Sequence, residues 1–222
     1  MDKVQKIAID WSEIDTVLLD MDGTLLDLHF DNYFWQIYIP QVYAVKHEIS
    51  LQQSAALLTK LSKQQMGKLN WYCLDYWSEQ LSLDVVALKN DLADKIQFRP
   101  NTMAFLERMK QIGKRLILAT NAHPKAIELK LLQTDFSQYF DALSSSHTLG
   151  HPKEEQQYWH LLSKQFQLDK ERCLFIDDSL SVLASAQTFG IAHLLAVTRP
   201  DMQKSSQDPA PYTGIDDFIQ LL

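Results

Sequence analysis

Four acidic residues follow two short apolar runs of the sequence. The run TVLLD ends at Asp20, with Asp22 close behind it, and the run CLFID ends at Asp177, which Asp178 follows. Both runs are typical of buried strands, and in an open parallel sheet ligands bind beyond the carboxyl ends of the strands. Four carboxylates gathered at that edge would repel one another unless a cation or protons neutralised them. Oxygen-only ligands favour a hard cation such as Mg²⁺.

Polar residues of other types occupy similar positions. Thr120 and Asn121 follow the run RLILA, and Lys153 stands beside Pro152 where a helical pattern begins. Read singly, each feature has a simpler explanation: Asp-Asp-Ser after a strand is often a helix N-cap, Asp-Gly-Thr is often a turn, and Lys153 could be a solvated lysine. Their joint occurrence, each at a strand end or a helix start, favours a site.

The elements that must position these residues follow from the hydrophobic pattern. Four apolar runs predict strands that end at Asp20, Thr120, Asp177 and Val197. Helical patterns lie between them, over Pro100–Ile112, over Pro152–Phe166, and from an N-cap at Ser179 to Phe189, which Gly190 ends. Alternating strands and helices predict an α/β fold, a Rossmann-like doubly wound parallel sheet with helices on both faces.

The segment 27–98 breaks this alternation. Its stretches SLQQSAALLTKLSKQQ and NWYCLDYWSEQL are helical in character, and the segment offers no convincing strand. We therefore predict a core formed by residues 1–26 and 99–222, with a helical insertion of residues 27–98 after the first core strand.

Composition limits the possible partners. The chain has 222 residues, 46% of them hydrophobic, and a formal charge of −7, which disfavours duplex nucleic acid as a partner. No apolar run is long enough to cross a bilayer, and the N-terminus lacks the apolar core of a secretory signal. The only cysteines, Cys73 and Cys173, are far apart, which indicates a reduced, cytoplasmic setting.

Four stretches, LLDMDGTLLD, LILATN, GHPKEE and LFIDDS, resemble the four motifs of the haloacid dehalogenase-like hydrolases, in that family's order. More narrowly, DMDGTLLDLHFDNYFW and LNWYCLDYWSEQL resemble the bacterial GMP/IMP 5′-nucleotidases of the same superfamily. The resemblance implies that the insertion 27–98 is a helical cap that closes over the site.

The resemblance also implies roles for the residues of the motifs. Asp20 matches the nucleophile that takes the phosphoryl group as an aspartyl-phosphate, and Asp22 matches the general acid/base. Thr120 and the Asn121 backbone N–H match phosphate donors, and Lys153 matches the cation that balances charge in the transition state.

A magnesium ion is implied as the cofactor. In this family it would be held by Asp20, by the backbone carbonyl of Asp22, by Asp178 directly, and by Asp177 either directly or through water.

The expected function is therefore a magnesium-dependent phosphatase acting on purine nucleoside 5′-monophosphates, GMP and IMP above all, as a monomer or homodimer. A sugar-phosphate phosphatase or phosphomutase on the same scaffold stays open, as does a catalytically silent protein that binds a phosphate ligand. A phosphonatase also stays open. It would need a cap lysine that forms a Schiff base, and the candidates are Lys46, Lys60, Lys63 and Lys68. One or two cap aromatics could stack a base, while most of them pack the cap's own interior: Phe30, Tyr33, Trp35, Trp71, Tyr72 and Trp77.

Overall fold

The computed structural model describes residues 6–222, so residues 1–5, where the predicted core range and the N-terminal segment begin, lie outside the described residues. Six parallel strands form one sheet in the order β3-β2-β1-β4-β5-β6. They are β1 (Thr16–Leu19), β2 (Arg115–Thr120), β3 (Ala142–Ser145), β4 (Cys173–Asp177), β5 (His193–Val197) and β6 (Thr213–Ile215). This is a doubly wound α/β order, as predicted, and the strand order reverses between β1 and β4.

The two edge strands were not predicted. The sequence of β3 is ALSS and that of β6 is TGI, so neither contains an apolar run of the length that marks a buried strand. Each is held by backbone pairing with one neighbour: Ala142 to Ser145 pair with β2, and Thr213 to Ile215 pair with β5.

Helices alone fill the described chain between β1 and β2, apart from isolated bridges at Leu26. Within this interval, residues 27–98 are called the helical segment below. It contains α1 (His29–Tyr33), α2 (Ile39–Lys46), α3 (Leu51–Gln65), α4 (Leu69–Tyr72), α5 (Leu74–Leu81) and α6 (Val85–Asn90). A π-helical turn, Phe34–Tyr38, joins α1 to α2 just before Pro40, which cannot donate a helical hydrogen bond.

Five more helices accompany the later strands: α7 (Thr102–Gln111), α8 (Pro124–Thr134), α9 (Ser146–Leu149), α10 (Gln156–Phe166) and α11 (Leu180–Phe189). Side chains of β1 alternate between two buried clusters. Val17 and Leu19 pack with residues of α7 and α8, whereas Leu18 packs with residues of α10 and α11. Helices therefore cover both faces of the sheet, and β1 lies at its centre.

The predicted start of α10 was wrong by four residues. The helix begins at Gln156, and residues 152–155 form a turn. In that turn the backbone N–H of Lys153 donates to Asn121 Oδ1 at 2.9 Å, and the Lys153 carbonyl accepts from Trp159 Nε1 at 2.8 Å. The backbone N–H and carbonyl of Lys153 therefore bond to side chains and not to the backbone of a helix.

Candidate active site

The carboxyl ends of β1 and β4 bring three acidic side chains together. Carboxylate oxygens of Asp20, Asp177 and Asp178 all lie within 4.8 Å of one another, and we call these three residues the carboxylate cluster. Asp20 and Asp177 are 5% and 1% exposed. The two strands are adjacent in the sheet, which is why residues so distant in sequence meet at its switch point.

Lys153 supplies the cation of this site. Its Nζ lies 2.6 Å from Asp20 Oδ1 and 2.7 Å from Asp177 Oδ2, and it also donates to the carbonyl of Ala119 at 3.0 Å. Burial opposes the charged amine, but attraction from Asp177 and Asp20 outweighs it and raises the pKa of Lys153 well above its usual range. Lys153 is therefore a fixed ammonium group between two carboxylates.

One ammonium does not balance three carboxylates. Burial raises the pKa of the Asp20 carboxyl to about 6 in spite of Lys153. Burial, together with repulsion from Asp177 and Asp20, raises the pKa of Asp178 well above its usual range. The three carboxylates therefore carry more negative charge than Lys153 can neutralise. They offer only oxygen ligands, which suit a hard divalent cation such as Mg²⁺.

The turn after β1 approaches Asp178 closely. Gly23 has φ +86°, and a Cβ built on it would lie 2.6 Å from Asp178 Oδ2. Any larger residue would combine an unfavourable left-handed conformation with a clash. Glycine at this position thus allows the turn that carries Asp20 and Asp22 to lie against the last acid of the cluster.

The side chain of Asp22 faces a different set of charges. Asp22 Oδ1 lies 2.5 Å from Lys130 Nζ, and the same amine lies 2.7 Å from Asp31 Oδ2. Asp31 Oδ1 in turn lies 2.5 Å from Lys89 Nζ. These four residues, Asp22, Lys130, Asp31 and Lys89, are called the lysine–aspartate network below.

The network joins the sheet to the helical segment. Lys130 belongs to α8, whereas Asp31 and Lys89 belong to α1 and α6, and both lysines are at most 2% exposed. Burial opposes the charged form of Asp31, but Lys130 and Lys89 outweigh it and hold its pKa well below the usual range. For Asp22 burial prevails over Lys130 and raises the pKa to about 6.

Sequence analysis missed Lys130, Asp31 and Lys89. One clue existed for Lys130: it follows Ile127 by three residues and Ala126 by four, so it continues the buried stripe of α8. A lysine at such a position is rarely buried without a partner, and that could have prompted a search for one.

Thr120 and Asn121 lie where the sequence predicted, at and just beyond the end of β2. Thr120 Oγ1 accepts from the Ala122 backbone N–H at 3.0 Å. The Asn121 side chain accepts from Lys153 N and donates to Glu154 Oε2 at 3.0 Å. Asn121 thus fixes the turn that presents Lys153, and its role toward phosphate stays a prediction.

Glu154 links the turn of Lys153 to the helical segment. The residue precedes α10, and its carboxylate accepts from Asn121 and from the Tyr72 hydroxyl, the latter at 2.6 Å. Tyr72 lies in α4, so a hydrogen bond from the helical segment reaches the residue next to Lys153.

Of the six aromatic residues named above, Trp35, Trp71 and Trp77 pack in the apolar cluster of the helical segment, whereas Phe30 packs with the sheet core. Phe30 and Trp77 are 1% and 4% exposed, and the Trp77 ring lies 5.9 Å from that of Trp35, tilted by 58°. Lys89 Nζ lies 4.6 Å from the centroid of the Phe34 ring and 5.7 Å from that of Trp35. Tyr33, Trp71 and Tyr72 are only partly buried and keep ring surface available.

Within residues 6–222, no helix combines the length and apolar character needed to span a membrane.

The model of the haloacid dehalogenase-like hydrolases matches residues 14–190 of the chain. The chain belongs to this family, as the sequence motifs predicted, and the fold and the cluster at the switch point agree with that membership.

The chain is 44% identical over 216 residues to the GMP/IMP nucleotidase YrfG of Escherichia coli (strain K12), and the match covers 97% of each chain. A GMP/IMP nucleotidase of Shigella flexneri matches to the same extent. Among solved structures, a haloacid dehalogenase-like phosphatase from Thermococcus onnurineus superimposes with a TM-score of 0.77 at 22% identity, covering 93% of this chain and 95% of that one. That structural likeness supports the fold.

Proposed function

We propose that this enzyme hydrolyses purine nucleoside 5′-monophosphates, GMP and IMP above all, with Asp20 as nucleophile. The family and the nucleotidase relatives together support a phosphoric monoester hydrolase. The observation that carries the proposal is the placement of Asp20: a buried carboxylate at the switch point, 2.6 Å from Lys153 Nζ and close to the carboxylates of Asp177 and Asp178.

In the proposed first step, an Asp20 oxygen attacks phosphorus as the bond to the nucleoside 5′-oxygen breaks. Lys153 lies against Asp20 and would balance the charge that builds up on the phosphoryl oxygens. Thr120 and the Asn121 backbone N–H would bind the same oxygens. The product of this step is an aspartyl-phosphate on Asp20 and a leaving alkoxide that needs a proton.

Asp22 would supply that proton and would then remove a proton from the water that attacks the aspartyl-phosphate. This second displacement breaks the bond between Asp20 and phosphorus, releases inorganic phosphate and restores both acids. Lys130 holds Asp22 Oδ1, which leaves Oδ2 as the oxygen without a lysine partner. We assign Lys130 to the positioning of Asp22.

Mg²⁺ would be held by Asp20, Asp178, the carbonyl of Asp22 and, directly or through water, Asp177. When bound it would neutralise the cluster and orient the phosphoryl group.

The helical segment 27–98 would act as a cap over a core formed by 1–26 and 99–222. Two hydrogen bonds support these roles of cap and core. The Tyr72 hydroxyl donates to Glu154, which is next to Lys153, and Lys130, which also binds Asp22, donates to Asp31. A cap that closes here would exclude water from the phosphate and supply the pocket for the leaving group. The partly exposed rings Tyr33, Trp71 and Tyr72 would be the first candidates for stacking on a purine.

The test is a comparison of kcat/KM for GMP, IMP, AMP and several hexose phosphates. We expect GMP and IMP to exceed the hexose phosphates, and AMP to be the poorer purine, because a site that hydrogen-bonds the 6-oxo group leaves polar groups unpaired with AMP. A hexose phosphate ahead by tenfold, or about 1.4 kcal/mol, would favour a sugar-phosphate phosphatase instead.

A mutase is separated from a phosphatase by the release of free phosphate, since a mutase keeps its aspartyl-phosphate from water. A silent binding protein would bind nucleotide without turnover. The cytoplasmic setting and the choice between monomer and homodimer stay predictions from the sequence.

A further inference from the structure

A second group of metal-ligating side chains lies apart from the carboxylate cluster. It consists of Cys73, His123 and His147, whose ligand atoms all lie within 4.8 Å of one another, and we call it the Cys–His cluster. The rings of His123 and His147 meet edge to face with centroids 4.7 Å apart. The proposed reaction uses none of these three residues.

The Cys–His cluster spans two parts of the molecule. Cys73 stands between α4 and α5 of the helical segment, and its Sγ accepts a 3.4 Å contact from the backbone N–H of Tyr76. His123 is the N-cap of α8, and His147 lies in α9 after β3. A ligand held by all three would therefore tie the helical segment to the sheet.

His147 provides a second, independent observation. Both of its ring nitrogens are buried, and neither has a hydrogen-bond partner among residues 6–222. An unsatisfied buried polar group costs about 1–3 kcal/mol, so native structures rarely keep one without a reason.

We propose that Cys73, His123 and His147 bind a soft or borderline divalent cation, with Zn²⁺ as the best fit. One thiolate and two imidazoles form a ligand set for zinc, whereas Mg²⁺ prefers oxygen. On binding, the Cys73 thiol releases its proton to solvent and a ring nitrogen of each histidine donates its lone pair; for His123 this competes with the 3.3 Å hydrogen bond that Nδ1 accepts from the Lys125 backbone N–H. A water molecule would complete a tetrahedral set, because Asp75 is paired with Lys125 at 2.6 Å and lies outside the group of three.

Binding is tested with reduced protein in excess Mg²⁺, so that oxygen sites are filled, using Co²⁺ for spectroscopy and Zn²⁺ for competition against a chromogenic chelator. We expect one equivalent to bind, with thiolate-to-cobalt charge-transfer absorption and the visible bands of tetrahedral cobalt. Cys73→Ser should abolish the charge-transfer band, and both Cys73→Ser and His147→Gln should weaken zinc at least about a hundredfold.

Three control variants locate the site. Cys173→Ala removes the other thiol, His160→Gln removes an exposed imidazole, and Asp20→Asn alters the carboxylate cluster, so all three should keep the wild-type cobalt spectrum. Zn²⁺ should also raise the melting temperature of wild type but not of Cys73→Ser, a readout that does not depend on enzymatic activity. Absence of stoichiometric binding, or equal affinity in Cys73→Ser and His147→Gln, would overturn the proposal.

One consequence rests on the proposed function. If the cap must open to release product, Zn²⁺ should slow phosphate release by wild type and not by Cys73→Ser. Failure of the phosphatase proposal would remove turnover from both proteins and leave the cobalt spectrum unchanged, so the two failures are distinguishable.

Discussion

The carboxylate cluster and the lysine–aspartate network lie on either side of the Asp20–Asp22 turn, and both consist of buried acids and lysines. The cluster sets three carboxylates against Lys153, and pKa values within it are raised. The network sets two carboxylates against two lysines; the pKa of Asp31, which contacts both lysines, is lowered, and that of Asp22, which contacts one, is raised. An excess of buried negative charge indicates a site that binds a cation. Equal numbers of buried acids and lysines indicate a structural contact that holds two elements together.

The largest expected effect is on Asp20→Asn. The amide is nearly isosteric but is a poor nucleophile, so we expect phosphate release to fall by at least about a thousandfold. Because the substitution removes one charge from an over-acidic cluster, the free energy of unfolding should not decrease. Phosphate release near the wild-type rate would reject Asp20 as the nucleophile.

The opposite pattern is expected for Asp31→Asn, which leaves Lys89 buried without its carboxylate. Breaking a buried ion pair should lower the free energy of unfolding by about 3 kcal/mol, measured by urea denaturation. Asp75→Asn is the matched control, because its partner Lys125 is half-exposed and the change should be far smaller. Equal effects of the two substitutions would mean that the lysine–aspartate network does not stabilise the contact between the helical segment and the sheet.

Magnesium should distinguish the two groups of charges. At a concentration one hundred times its Kd, a bound ion would stabilise the folded protein by about 2.7 kcal/mol, visible as a raised melting temperature. We expect that shift in wild type and in Asp31→Asn, and its loss in Asp178→Asn. Chelation should abolish turnover, and Ca²⁺ should bind while supporting little catalysis; full activity after exhaustive chelation would contradict the assignment.

The smallest effect, and the most specific, is expected for Lys130→Met. If Lys130 positions Asp22 for proton transfer, the rate of phosphate release from GMP should fall about tenfold to a hundredfold. This loss is smaller than the full contribution of a general acid, because Asp22 itself is still present. Release from p-nitrophenyl phosphate should fall much less, because its leaving group needs little protonation. Lys125→Met, on the exposed side of α8, is the control. An equal loss with both substrates would make Lys130 a structural residue only.

The difference between the two groups also explains what could be predicted from the sequence. Asp20 and Asp177 end apolar strands, and parallel neighbours place such ends together, so local pattern and topology suffice. Lys130 meets Asp22 across 108 positions and Asp31 across 99, and no local pattern determines how α8 lies against the turn after β1 and against α1. The edge strands β3 and β6 were missed for a related reason: pairing with a neighbour, rather than their own composition, makes them strands.

The position of β1 at the centre of the sheet has a consequence for synthesis on the ribosome. β1 ends at Leu19, yet one of its two partners, β4, begins only at Cys173. At about 5–20 residues per second, β1 waits on the order of ten seconds or more before that edge can pair. During this interval the nascent chain exposes the TVLL strand. Chaperones or early pairing with β2 would then be needed to prevent aggregation of the nascent chain.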